Sequence, residues 1–367
     1  MPEVPPGEMR AAMPEYTVLQ QTPQELGFVF PAEWEPQNSI ILSCPLNPET
    51  WPDNRQALEQ AYTAFIAAIA AYEPVHLLCA AAAQAHWCEL LSAAGVNLEK
   101  IFFLDFSSND AWCRDYGPVF LRHPQSRQRT IVKFQYNAWG GKFPPWDDDA
   151  RVPELLSGYF GLPLFTSPLF CEGGALESNG QGLIMTTTAV LLNPNRNPGL
   201  SQEDCARLLR EALGAEQILW LPGGLCGDDT DGHIDTLARF CNDDTVLAIL
   251  DNDPLSPNYD ILRDNFRRLQ EFRLVSGARL QVVPLPCPKP IRPQGWRTDI
   301  LPASYANFLI INSAVLVPTY RQDDTDQLAL DIIAQAFPGR TVVPVDCYDI
   351  VLEGGALHCL SQQEVAP

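Results

Sequence analysis

Phe308-Leu-Ile-Ile-Asn-Ser-Ala-Val-Leu-Val317 reads as two short apolar strands folded back around an Asn-Ser turn. A polar loop follows, then a helical pattern over 325–337, then a third apolar run, Thr341-Val-Val-Pro344. The same succession occurs upstream. Gly182-Leu-Ile-Met-Thr-Thr-Thr-Ala-Val-Leu-Leu192 reads as a hairpin-like pair, followed by a helix over 202–213 and a strand over 217–221. Residues 234–250 start a third copy, with a helix over 259–272 and a strand over 279–283. Residues 116–134 open a fourth with a strand pair, and 39–75 approximate a fifth through a strand at 39–43 and an alanine-rich helix over 54–72. The unit is β-β-α-β, about 60 to 80 residues long, and recurs around five times. Such units cannot bury their faces alone, so they stack, and a ring is the closed solution. The expected organisation is a loosely held, proline-rich arm over 1–27 and a single α/β domain over 28–367, a five-fold propeller of ββαβ units.

Composition narrows the function classes. A hydrophobic content of 46% supports a sizeable core. The formal net charge of −21 argues against nucleic acid as a partner and favours cationic ligands. The longest apolar stretch, 64–71, is far short of the roughly 20 residues a membrane helix needs. No basic, apolar leader opens the chain. Eleven cysteines, scattered singly with no Cys-x-x-Cys pair, fit reduced thiols in a cytoplasm better than a disulfide framework or a zinc ribbon.

The polar motifs sit at corresponding places in the repeat. Arg114-Asp-Tyr-Gly-Pro118, Glu177-Ser-Asn-Gly180, Gly232-His-Ile-Asp235 and Ser304-Tyr-Ala-Asn307 each precede the first strand of a unit, and in a ring those entry points converge near the axis. His233 and Asp235, two apart, share one face if the segment is an extended strand, and a carboxylate beside an imidazole favours its cationic form. A calcium loop fails here because Gly227 and Ala238 stand where the first and last acidic ligands are needed. Five scattered histidines make a zinc site weak. Asp115 and Asp235 supply two carboxylates for the five-donor fork of a guanidinium, and Trp112 offers a face for the same cation. The plain alternatives, a solvated acidic turn and an Arg114–Asp115 surface turn, stay open at this point. Glu172-Gly-Gly reads equally as a tight turn with positive φ. Cys359, in the glycine-led segment Glu353-Gly-Gly-Ala-Leu-His-Cys359, suits nucleophilic catalysis by a thiolate. A thiol, an imidazole and carboxylates around a guanidinium fit one reaction. The thiolate attacks the guanidinium carbon, the imidazolium protonates departing ammonia, and water then hydrolyses the amidino-thioether, with no metal or organic cofactor required.

These residues resemble those of agmatine deiminases and bacterial peptidylarginine deiminases. The resemblance is carried by Asn109-Asp-Ala-Trp-x-Arg-Asp-x-Gly-Pro118, Glu172-Gly-Gly, Asp229-x-Asp-Gly-His-Ile-Asp235 with Arg239-Phe240, Ser304-Tyr-x-Asn-Phe308 and Gly354-Gly-x-x-His-Cys-x-x-Gln-Gln363. Pro31-Ala-Glu-Trp-Glu-Pro36 and Tyr136-Asn-Ala-Trp-Gly-Gly141 match as well, so it spans about 28–363. It implies the guanidine-modifying α/β propeller, or pentein, fold. It also implies Cys359 as the amidino-cysteine nucleophile, His233 as acid and base, Asp115 and Asp235 as the guanidinium holders, Trp112 lining the pocket and Asn307 near the site.

The sequence departs from the family pattern in three places. Cys44-Pro-Leu-Asn47 replaces Trp-Pro-His-Asn, Glu353-Gly-Gly-Ala-Leu-His-Cys replaces Gly-Gly-Gly-Asn-Ile-His-Cys, and Glu177-Ser-Asn-Gly replaces His-Val-Asp-Gly. These changes leave the reaction centre intact and bear on the substrate's far end, where Glu177 or Glu353 would favour an amine. The expected activity is a cytoplasmic guanidine deiminase acting on agmatine, with a small cationic guanidine as partner and neither nucleic acid nor membrane involved. Peptidylarginine or free arginine on the same centre, an amidinotransferase, and a catalytically silent guanidine or polyamine binder are the alternatives. A homo-oligomer is left open.

Overall fold

The computed structural model describes residues 15–293 and 298–367. Its strands form five small sheets. β1 (Gln37–Ser43), β2 (Val75–Leu78) and β3 (Ile101–Leu104) belong to one of them. The next holds β4 (Val119–Arg122), β5 (Arg129–Gln135) and β6 (Leu164–Phe170). β7 (Glu177–Ser178), β8 (Leu183–Thr187) and β9 (Gln217–Leu221) make the third. β10 (Ala238–Phe240), β11 (Thr245–Leu250) and β12 (Gln281–Pro286) make the fourth. β13 (Leu309–Ile311), β14 (Ala314–Thr319) and β15 (Thr341–Asp346) make the fifth. In each three-stranded sheet the middle strand runs antiparallel to the first and parallel to the third. A parallel neighbour needs a crossover, and a helix supplies it between second and third strands each time. These helices are Val152–Phe160, Gln202–Leu213, Tyr259–Glu271 and Asp323–Ala336.

The remaining unit is assembled from both ends of the sequence. β16 (Ser361–Val365) pairs antiparallel with β1, Ile40 opposite Gln363, while β1 runs parallel to β2 across the helix Arg55–Ala70. Residues 39–75 approximate a unit and no more because their first strand lies more than 300 positions downstream. With it in place all five units share one ββαβ plan, and the fold is a five-fold α/β propeller. Neighbouring units meet through their first strands, β16 against β4 and β10 against β7.

The expected hairpin over 182–192 is corrected by the structure. β8 ends at Thr187 and a helical turn, Thr188–Leu191, follows; the antiparallel partner of β8 is β7, upstream of it. The chain reverses at Gly180 (φ +72°) and Gly182 (φ +85°), ahead of the apolar run. Nothing within 183–192 supplies a residue suited to a second tight reversal. Helix ends follow local chemistry more closely. Ser201 and Asp204 form a reciprocal capping box at the start of Gln202–Leu213. Gly214 ends that helix at φ +64°, where a Cβ would come 2.0 Å from the Phe28 carbonyl oxygen.

The expected arm over 1–27 lies partly outside the described residues. Its described part is laced to the body: Leu19 N donates to Leu164 O at 2.8 Å, Leu164 N to Thr17 O at 2.8 Å, and Gln24 N to Glu211 O at 3.1 Å. Among the described residues no helix is long and apolar enough to cross a membrane.

Candidate active site

The segments that enter the first strands carry the chemistry. Asp115 lies on a single helical turn, Cys113–Tyr116, ahead of β4. Glu172 opens the turn ahead of β7, and His233 and Asp235 precede β10. Asn307 precedes β13, and Cys359 stands two positions before β16. Each of the five units thus contributes to one place.

Cys359 is held from two sides. Asn307 Nδ2 donates to its Sγ at 3.1 Å, and the Asn307 carbonyl oxygen Oδ1 accepts from the backbone of His358 at 3.1 Å and of Cys359 at 3.4 Å. The thiol in turn donates to Asp235 Oδ2 at 3.5 Å. Asp115 accepts Gly174 N on Oδ1 at 3.0 Å and Trp139 Nε1 on Oδ2 at 2.9 Å, which fixes its carboxylate plane. His233 is fully buried, its Nδ1 3.5 Å from Asp115 Oδ1 and its Nε2 3.5 Å from Glu172 Oε2. Glu172 is itself held by Arg196 Nε at 2.6 Å. The expectation that His233 and Asp235 share a strand face is corrected: residues 234–236 form a 3-10 turn, and the two side chains meet the site from that turn.

Glycines make this crowding possible. A Cβ on Gly174 would lie 2.6 Å from both Asp115 Oδ1 and His233 Nδ1, and one on Gly173 would lie 2.1 Å from the Arg114 carbonyl oxygen. Neither residue has a positive φ, so the expected left-handed turn is replaced by a closest-approach requirement. Gly355 plays the same part for Trp112: an added Cβ would stand 2.3 Å from the indole Cζ3, and Trp51 also packs against that ring with centroids 5.2 Å apart.

A cavity of about 270 Å³ opens above these groups. Trp112, Asp115, His233, Glu353 and Cys359 line it. Asp235 and Asn307 lie just behind Cys359 rather than on the wall. The wall is acidic, with Glu49, Asp110, Asp228 and Asp229 beside it. Lys142, the one lysine among the described residues of the wall, donates to Asp229 O at 2.6 Å and Asp231 Oδ1 at 2.8 Å. Among the described residues, no cluster of three or more His, Cys, Asp or Glu is arranged to hold a metal ion.

The electrostatics follow from burial and sign. Burial alone would lower His233, but Asp115 and Glu172 outweigh it and push the imidazole up to about 9. Burial raises Asp115 to about 6, against the pull of His233. Burial, with Asp235 and Asp115 adding their charge, holds the Cys359 thiol well above the usual range. Asp235 moves the other way: burial would raise it, and its bond to His358 more than offsets this. Both His233 ring nitrogens and Asp235 Oδ1 lack a hydrogen-bond partner among the described residues. Buried polar groups are rarely left so, which marks the spot as a place for a polar ligand. An acidic, aromatic-walled pocket with a thiol on its floor suits a planar cation with an electrophilic carbon.

The chain matches the model of the Porphyromonas-type peptidyl-arginine deiminase family over residues 29–364. It belongs to that family. Among curated relatives, agmatine deiminases of Stutzerimonas stutzeri and Ectopseudomonas mendocina are 35% and 34% identical, each over 96% of this chain and 99% of theirs. The solved agmatine deiminase of Enterococcus faecalis superposes with a TM-score of 0.90 at 31% identity, covering 96% of this chain and all of that one. As a member of this deiminase family the protein is a hydrolase acting on the C–N bonds of linear amidines.

Of the residues expected from sequence in this family member, Cys359, His233, Asp115, Asp235, Asn307 and Trp112 come together. Glu177 does not. It lies on β7 with its carboxylate away from the cavity, accepting from Arg239 Nε at 2.8 Å and Phe240 N at 2.9 Å. Sequence reasoning missed Glu172, Trp139 and His358 as neighbours of the reacting groups. Glu172 stood in a quoted motif and Trp139 in another, but neither shows from spacing alone which side chain it will meet.

Proposed function

We propose that the protein is an agmatine deiminase, converting agmatine and water to N-carbamoylputrescine and ammonia through an amidino-cysteine. The observation that carries this reading is the convergence of Asp115, His233 and Cys359 on one acidic cavity, with Asp235 in contact with the sulfur from behind. Each Asp115 oxygen accepts one protein donor and keeps a lone pair for a guanidinium N–H. Asp235 adds a second carboxylate beside the sulfur. Burial and the two carboxylates hold the thiol protonated; the bound cation offsets their negative charge, and the thiol proton passes to solvent as substrate arrives. The thiolate forms a C–S bond to the guanidinium carbon. The tetrahedral adduct expels ammonia as its C–N bond breaks, the departing nitrogen taking the proton from His233. Water then attacks the amidino carbon while the now neutral His233 takes its proton. The C–S bond breaks, the ureido product leaves and the thiolate is restored.

Agmatine is favoured over arginine by the wall. An amine meets Glu49, Asp110, Asp228 and Asp229, whereas a substrate carboxylate would face the same acids with a lysine already engaged. The names of the curated relatives point the same way. The family's own description keeps peptidyl-arginine as the second reading. We also place the protein in the cytoplasm, because all eleven cysteines are free thiols. Incubation with agmatine, free arginine and a peptidyl-arginine, following ammonia and ureido product, tests the proposal. Agmatine should be turned over best. Preferential turnover of the peptide would move the assignment to the second reading, and no turnover of any of the three would leave a binding protein.

A further inference from the structure

Behind the reacting groups lies a chain of buried charges that the reaction scheme does not use. His358, 1% exposed, stands between two carboxylates: its Nδ1 is 2.7 Å from Asp235 Oδ2 and its Nε2 is 2.8 Å from Glu33 Oε2. Glu33 comes from the segment ahead of β1. Its Oε2 also accepts from Arg239 Nη2 at 2.8 Å and faces Arg114 Nη2 at 3.6 Å, while its Oε1 accepts from Ile310 N at 2.7 Å. Arg239 closes the set by binding Glu177. We infer that Glu33 and His358 are positioning residues for the deimination. They form a carboxylate–imidazolium–carboxylate bridge that keeps Asp235 ionised and fixed against Cys359 Sγ.

Three observations carry this. Asp235 Oδ2 is the shared acceptor of His358 Nδ1 and the Cys359 thiol, so the ring orientation of His358 sets where the carboxylate sits relative to sulfur. Both ring nitrogens of His358 face carboxylate oxygens. Asp235 Oδ2 also accepts the Cys359 thiol and Glu33 Oε2 also accepts Arg239 Nη2, so both oxygens act as acceptors and both His358 nitrogens are placed as N–H donors. Finally, within this chain of contacts a charged His358 gives equal numbers of charges: the carboxylates of Glu33, Glu177 and Asp235 then meet the cations of Arg114, Arg239 and His358. A neutral His358 would leave one negative charge uncompensated in the interior, a costly arrangement. Turned away or neutralised, Asp235 would cease to grip the guanidinium beside the attacking sulfur. This part of the inference rests on the deiminase reading; the state of His358 does not.

Two measurements on the full chain test it. The chain has five histidines, so 15N-histidine labelling gives a resolvable spectrum, with His358 identified by its loss in His358→Gln and by its displacement in Glu33→Gln. Near neutral pH both His358 ring nitrogens should resonate as protonated; one imine-type nitrogen would overturn the bridge. In kinetics, Glu33→Gln keeps a side chain of the same shape and removes its charge. With rates normalised to the folded fraction measured by near-UV circular dichroism, kcat for agmatine should fall about 10- to 100-fold, the range for partners that orient a functional ligand. KM should change far less. A normalised kcat within twofold of wild type would overturn the positioning role, because mere loss of folded protein disappears in the normalisation. If the protein turns over no guanidine, the functional reading fails, and the nitrogen spectrum alone still decides whether the bridge exists. If Glu33→Gln does not fold, the wild-type spectrum remains the deciding measurement.

Discussion

Cys359 illustrates how a side chain acquires reactivity from its neighbours rather than from its own chemistry. An ordinary thiol ionises near about pH 8.5. Here burial and two carboxylates hold it protonated, and in the proposed mechanism the arriving cation offsets those charges. Cys359→Ser should therefore abolish turnover while leaving agmatine binding measurable by calorimetry; a fully active variant would remove Cys359 from the mechanism. In the proposed mechanism His233 sets the alkaline limit. Its pKa is raised, so the imidazolium that protonates ammonia persists through neutral pH and is lost as pH rises through about 9. Glu172→Gln removes one of the carboxylates that raise it, and the alkaline limb of the kcat profile should move to lower pH. An unmoved limb would mean that another group sets it. At this scale the sequence was partly legible. Cys359, His233 and the two aspartates stand in motifs whose residue types announce their chemistry. The partnerships of Glu172 with His233 and of Glu33 with His358 join residues 61 and 325 positions apart, and local spacing holds no trace of them. Glu177 shows the converse: a carboxylate in the right place in the repeat, spent on Arg239 because a buried guanidinium needed a partner.

Short segments matter here as much as the regular elements. The five entry turns are where backbone is pressed against functional side chains, and glycine is retained for clearance. Gly355→Ala would drive a methyl into Trp112, a buried ring already packed against Trp51. Overpacking of this kind costs about 1–3 kcal/mol. A loss of that size in chemical denaturation, with a lowered kcat/KM, is expected. Gly339→Ala, with nothing within 4 Å of the added carbon, serves as the control and should stay within about 0.5 kcal/mol of wild type. The helix 202–213 was read to the residue because its capping box and its glycine stop are local signals. The hairpin expected over 182–192 failed for an equally local reason. Two apolar runs on either side of three threonines look like two strands, while the actual reversal sits at Gly180 and Gly182, just before the run begins.

Taken as a whole, the molecule carries a formal charge of −21 and opens an acid-walled cavity at the meeting point of its units. Such a field draws cations inward, and salt weakens it over a screening length of about 8 Å at physiological ionic strength. The kcat/KM for agmatine should accordingly fall several-fold as salt rises from about 10 mM to about 500 mM, with kcat nearly unchanged. A salt-independent kcat/KM would show that the surface charge serves solubility alone. The ring itself was legible in the sequence because a repeat is a pattern of periods, and periods survive without any knowledge of contacts. The composition of its fifth unit was not, since β1 and β16 are joined by pairing across more than 300 positions.

That pairing also gives the enzyme a calendar. The thiol rides on the segment that leads into β16, so it reaches the aspartates and histidine of the other units when β16 docks on β1. Contacts between such distant partners form late, after local hairpins and helices have paid little to appear. During refolding, far-UV dichroism should therefore recover well before deiminase activity does. Partly folded chains would carry helices and sheets in plenty and no assembled centre, so no deimination is expected before the propeller has shut.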